Sequence, residues 1–294
     1  MKQILDRLSP YFLAGPAVLV IGVACLYPTL MAVRLSFYKW SLGDPWSSAQ
    51  WLGLSAFRQA LTDPAVLHSL IVTVVFAAIV VSAEMVIGTA LALLMERQVA
   101  GISLFRTIFI MPMMVAPIVV GMIWRYVFDT QFGPANALLT ALGLPAQSWL
   151  ANPSLAFLAV VVSDIWQWTP FVIIMVLAGL QNLDQSALEA AQIDGATPRQ
   201  VILRVKLPML MPVLVITALM RLIDAFRVLE VIFALTFGGP GSATEVLPLH
   251  IYKTAFVGQQ LGYASAISVL LLVVVFALSL ATLALSNPLK DPRQ

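Results

Sequence analysis

At 294 residues, with 61% hydrophobic and only 10% charged side chains, the chain has too few charges to cover a water-exposed surface. Its mean hydropathy of +0.95 comes from apolar runs that repeatedly exceed about 18 residues, enough to cross a bilayer. Composition therefore points to an all-α polytopic membrane protein. The net charge of +2 is too small a bias for nucleic-acid binding and fits an uneven spread of basic residues between loops.

Six spans are predicted in chain order, at about 11–35, 66–95, 104–128, 155–180, 209–237 and 263–285, within one transmembrane domain covering 1–294. The first holds Cys25, the only cysteine, so no intrachain disulfide or cysteine metal site is available, and a buried, inert thiol is expected. Gly22-Val23-Ala24-Cys25 lacks the large aliphatic residue of a lipoprotein cleavage site, and the run is too long for a signal peptide, so this span is expected to be retained. Pro117 and Pro170 lie inside spans and predict kinks there. Lys2, Arg7, Arg97, Arg106, Arg199, Arg204, Lys206, Lys290 and Arg293 fall on one set of connections, whereas 129–153 has no Lys or Arg. Basic residues accumulate on the cytoplasmic side, which puts both termini there. Trp40, Trp46, Trp51 and Trp149 lie in the opposite loops, where an amphipathic ring suits the membrane interface or an external partner.

Between the fourth and fifth spans, 183–208 is polar. Ser186 with Glu189 makes a capping box that starts a helix, and Asp194-Gly195 stops it, because glycine accepts the left-handed conformation a helix C-terminus needs. Thr197 with Gln200, and Pro198 at the first helical position, start a second helix that Leu207-Pro208 is expected to end.

Charges inside spans are functional candidates by default. Asp164, Gln167, Trp168 and Phe171 recur at helical intervals on the fourth span and share a face. A carboxylate, an amide and aromatic rings suit a sugar, whose hydroxyls take hydrogen bonds and whose C–H face packs on rings. On the fifth span Arg221, Asp224, Arg227 and Glu230 alternate in sign three apart, so neighbours lie within pairing distance. They either line a cavity or form a self-neutralising ladder, and Asp164 either meets a ligand or pairs with Arg221.

The run Glu189-Ala190-Ala191, Asp194-Gly195-Ala196 and Leu207-Pro208 resembles the cytoplasmic "EAA" loop of ABC importer permeases. Leu235-Thr236-Phe237-Gly238-Gly239-Pro240, Ala243-Thr244-Glu245, Ile251 to Phe256 and Gly262 to Ala266, with Tyr27-Pro28 and Ser36-Phe37, resemble the carbohydrate-type branch, which includes maltose, trehalose and glycerol-phosphate importers. The resemblance implies the type I importer permease fold, a cytoplasmic coupling helix docking on an ATPase subunit, and residence in a bacterial or archaeal cytoplasmic membrane. It implies as partners a second permease, two ATP-binding subunits and an extracytoplasmic solute-binding protein. ATP and its Mg ion would bind the ATPase subunits, and no cofactor would bind this chain. By the same resemblance, Asp164, Gln167, Trp168, Phe171, Arg221, Asp224, Ala225 and Val228 fall at sugar-contact positions, and Glu189, Ala190, Ala191, Asp194, Gly195 and Ala196 at the coupling element.

No G-x-x-x-x-G-K-[ST] pattern is present to cradle ATP phosphates, and His68 and His250 lack metal-ligand spacing, so catalysis by this polypeptide is not expected. The competing reading is an ion-coupled secondary transporter using Asp164, Asp224 and Glu230, for which no inverted internal repeat is visible.

Overall fold

The computed structural model describes residues 15–16, 18–96 and 102–286. Its apolar runs are helices, because a backbone away from water must satisfy its N–H and C=O groups within the segment. In chain order the elements begin with α1 (Val18–Leu35) and a short antiparallel pair, β1 (Tyr38–Lys39) and β2 (Gln50–Trp51). There follow α2 (Ser55–Thr62), α3 (Pro64–Met95), α4 (Ile102–Ile110), α5 (Pro117–Val127) and α6 (Pro134–Ala141). The chain continues through α7 (Pro153–Gln181) and α8 (Gln185–Ile193) to α9 (Pro198–Ala225). It closes with α10 (Glu230–Leu235), α11 (Leu247–Tyr252) and α12 (Leu261–Ser286). Among the described residues five helices (α1, α3, α7, α9 and α12) are long and apolar enough to cross a membrane, or six spans if one bent pair counts as one. Lys2, Arg7, Arg97, Lys290, Arg293 and the expected start of the first span lie outside the described residues.

Two compact units form, Met1–Leu67 with Ile251–Val273 and His68–His250 with Val274–Gln294. In the first, Tyr38 stands opposite Trp51 across the β pair. Phe37 stacks on Trp51 at 5.5 Å, Trp40 packs on Trp46, and the Arg34 guanidinium lies 4.7 Å over the Trp46 ring. The three tryptophans of this loop thus belong to one aromatic cluster, with Trp46 and Trp51 still exposed. Cys25 is exposed, not buried, because α1 has no part of its apolar window covered by the rest of the chain.

In the second unit, α3, α7 and α9 share a core of Ala92, Met95, Val172, Ile173, Val176, Leu180 and Leu210. The α5 and α10 helices approach closely at Gly121, where a Cβ would stand 2.7 Å from the Ala234 Cβ and from the Val231 carbonyl oxygen. The segment 129–153, read only as a loop, carries α6. Trp149 is fastened within it, its Nε1 donating to Asn136 Oδ1 at 2.9 Å, so this ring serves the loop's own structure.

The third expected span is bent by 104° between Arg106–Met114 and Pro117–Val127. Val115 and Ala116 are extended there, as a residue before proline prefers. Pro170, by contrast, sits inside the unbroken α7. The helix of 183–208 is capped by Asp184, not Ser186: its Oδ1 accepts from the Ser186 N–H at 2.9 Å and the Ser186 hydroxyl at 2.8 Å. Leu207-Pro208 does not end the next helix. Val201–Lys206 is wound as a π-helix that runs directly into Leu207–Ala225, and the wider i→i+5 turn accommodates the proline. The fifth span also stops earlier than 237: α9 ends at Ala225, and α10 starts afresh at Glu230. Arg227 and Glu230 therefore lie beyond the helix carrying Arg221 and Asp224, so the four do not share one helix and the ladder alternative is not realised along it.

Candidate transmembrane cavity and coupling elbow

An unbroken α7 places Asp164 and Trp168 one turn apart, and the last turn of α9 carries Arg221 and Asp224. Arg221 is 1% exposed, so its charge needs partners inside the protein. It donates Nε to Glu84 Oε2 at 2.7 Å and Nη2 to Glu84 Oε1 at 3.0 Å, a bidentate pair. The same Nη2 donates to Asp164 Oδ2 at 3.1 Å. The guanidinium also lies 4.8 Å from the centroid of the Trp168 ring, a cation–π placement. Nη1 remains without a hydrogen-bond partner; it stands 3.8 Å from Asp224 Oδ2.

This group borders a cavity of about 180 Å³. Asp164 and Trp168 of α7, Arg221 and Asp224 of α9, and Val228 just beyond it line one part; Arg227, Glu230, Val231 and Pro117 line the rest. Five of the eight residues at expected sugar-contact positions thus meet at one cavity. The other three do not line it. Gln167 is fully buried and donates Nε2 to the Val115 carbonyl at 3.2 Å, Ala225 is buried, and Phe171 lies elsewhere on α7. Glu84 was not singled out in the sequence, although a lone carboxylate inside the 66–95 apolar run carries the same signal as Asp164.

At the polar stretch, α8 presents Glu189, Ala190 and Asp194 to solvent, with Ala191 and Ala196 half-buried. Gly195 has φ +77° and donates its N–H to the Gln192 carbonyl at 3.0 Å, the left-handed stop expected of it. Thr197 and Gln200 form the expected reciprocal capping box. Between this elbow and the end of α3 runs a groove of about 920 Å³, lined by Leu93, Leu94, Leu188, Gln192 and Val201 among others. Lys206 closes on Glu96 at 2.6 Å beside it. The Asp184 carboxyl is held below its ordinary range by the hydrogen bonds from the Ser186 side chain and backbone.

The histidines sit away from both places: His68 Nε2 is 3.1 Å from the Ser242 carbonyl and His250 Nδ1 2.8 Å from Glu245 Oε1. Among the described residues no group of three or more His, Cys, Asp or Glu is arranged to hold a metal ion.

Residues 84–288 match the family described as "Binding-protein-dependent transport system inner membrane component". The chain is 36% identical over 266 residues to the probable ABC transporter permease protein y4oQ of Sinorhizobium fredii, covering 90% of this chain and 84% of that one. It is 32% identical over 281 residues to the trehalose/maltose transport system permease protein MalF of Thermococcus litoralis, covering 96% and 94%. Its fold is similar, at TM-score 0.83 and 20% identity over 99% of this chain and 98% of the other, to a chain from the crystal structure of a bacterial alginate ABC transporter in complex with alginate pentasaccharide-bound periplasmic protein.

Proposed function

This chain belongs to the family of binding-protein-dependent transport system inner membrane components, and from that premise we propose that it passes a sugar or related polyhydroxy solute across the cytoplasmic membrane as one permease subunit of an ATP-driven importer. A solute-binding protein delivers the ligand to the outer face, and a second permease completes the pathway. Two ATPase subunits bind ATP and its Mg ion and dock on the exposed face of α8, with both termini of this chain in the cytosol. The named trehalose/maltose relative supports the solute class.

One observation carries the reading. The single helix α9 begins at the Gly195 elbow and ends at the cavity, with Pro198 at one end and Arg221 and Asp224 in its last turn. Movement of the elbow is thereby delivered to the place where α7 offers a carboxylate and an indole. The two ligand-access states then differ in the contacts they make with the solute, which is the requirement for ATP-driven exchange between them.

The test is ligand-stimulated ATP hydrolysis by the complex reconstituted with its binding protein, screened over disaccharides, polyols and glycerol phosphates. A sugar or polyol should stimulate hydrolysis, and Trp168→Ala should reduce the stimulation by about tenfold, the scale of one lost ring contact. Stimulation equal to that of the parent would remove Trp168 from the ligand's path.

A further inference from the structure

Arg221 would ordinarily mark a site for an anionic ligand. Its surroundings reverse that reading. Two of its donor nitrogens are committed to Glu84 and Asp164, both buried. Turning the guanidinium toward a ligand anion would strand those two buried carboxylates, a costly exchange. What Arg221 keeps free is one neutral-scale role, the N–H groups on Nη1, which have no hydrogen-bond partner.

The rest of the cavity is short of positive charge. Asp164, Asp224 and Glu230 line it against Arg221 and Arg227, and Glu84 stands directly behind Arg221. Three lining carboxylates therefore face two guanidiniums, and a fourth carboxylate, Glu84, backs Arg221. Protonation of either buried carboxyl reduces the excess and does not reverse it. Asp224, with its side chain 47% exposed, is the carboxylate an incoming ligand meets beside Nη1.

We infer that the cavity selects an uncharged polyhydroxy ligand, or one bearing an amine, and rejects phosphorylated and carboxylated sugars. The inference rests on the reading of this cavity as a solute site. A ligand hydroxyl oxygen accepts a hydrogen bond from the Nη1 N–H that has no other partner, and its own O–H donates to Asp224. A phosphate or carboxylate in the same place would meet Asp224 and Glu230, and like charges brought together are a source of discrimination.

Selection by the binding protein must be separated from selection here, so binding is measured calorimetrically on the detergent-solubilised transporter without its binding protein. The ligands are matched pairs: glucose with glucose 6-phosphate and with glucuronate, glycerol with glycerol 3-phosphate, and maltose with maltobionate; glucosamine is added as the amine. The neutral member of a pair should bind at least about tenfold more tightly than its anionic twin, glucosamine at least as tightly as glucose, and Asp224→Asn with Glu230→Gln should narrow the ratio about threefold or more. An anionic twin that binds as tightly as its neutral partner overturns the selectivity and leaves the cavity assignment standing. Absence of binding by every member, or neutral binding unchanged in Trp168→Ala, overturns both.

Discussion

At the level of single residues, the arrangement of Glu84, Asp164 and Arg221 sets what the site tolerates. Each is nearly or wholly buried, and the ion pairs at 2.7 and 3.1 Å exist because neither sign is tolerable alone away from water. Arg221→Ala should therefore lower the stability of the assembled complex by about 3–5 kcal/mol, and Glu84→Ala by a similar amount, read as a fall in the midpoint of thermal unfolding. Replacing all three charges together, with Glu84→Leu, Asp164→Leu and Arg221→Met, should restore much of that midpoint while leaving transport abolished, because no buried carboxylate is then stranded. Equal instability of the triple variant would mean that packing, not stranded charge, dominates. Asp164 and Arg221 were legible in the sequence because charge is conspicuous inside apolar runs. Their partnership with Glu84 was not, because pairing across 137 positions of chain depends on how α3 and α9 are placed and leaves no local pattern.

The helices show a similar division. Thr197, Pro198, Gln200 and Gly195 act through short-range geometry, so the second capping box and the left-handed stop were readable directly. The π-wound turn that carries the chain past Pro208 was hidden, since it is a property of several successive hydrogen bonds and not of any residue type. The early end of α9 was hidden for the opposite reason: apolar residues continue beyond it, and no Gly or Pro stands between Ala225 and Glu230 to mark the break. At the elbow, Gly195→Val should strain the left-handed position by about 1–2 kcal/mol and reduce ligand-stimulated hydrolysis, whereas Gly195→Asn, tolerant of that conformation, should retain most of it. No atom lies within 4 Å of a Cβ added at Gly195, so any loss belongs to the backbone and not to a clash. Asp184 has a depressed pKa in the folded chain, so its stabilisation of α8 is fully present above the ordinary carboxylate range and disappears as pH falls through the lowered value. The protection factor of the Ser186 amide, whose N–H it holds, should fall on acidification in the parent once the intrinsic pH dependence of exchange is divided out, and Asp184→Asn should flatten that dependence. The same acid response in Asp184→Asn would assign it to another group.

Across the whole molecule, the position of α9 decides between two ways of transmitting force. Had Leu207-Pro208 ended the second helix, the elbow would be joined to the rest of the chain by a hinge, and movement of the elbow would be absorbed there. The continuous helix Pro198–Ala225 instead reaches about 42 Å at 1.5 Å per residue, joining elbow and cavity as one body. The Lys206–Glu96 pair ties that body to the end of α3, the helix that supplies Glu84. A break in the middle should uncouple the two ends without disturbing either. Ile216 is exposed on α9, so Ile216→Ala removes no core contact and should transport normally. Ile216→Pro removes one hydrogen bond and drives its ring against the preceding turn, costing the helix about 3 kcal/mol. The complex carrying Ile216→Pro should still hydrolyse ATP and still bind ligand, yet ligand should no longer accelerate hydrolysis and uptake into proteoliposomes should fall about tenfold or more, as expected when two sites lose a shared two-state element. Uptake at the parent rate would show that force reaches the cavity by another helix, and that the continuity of α9 past Pro208 has no mechanical consequence.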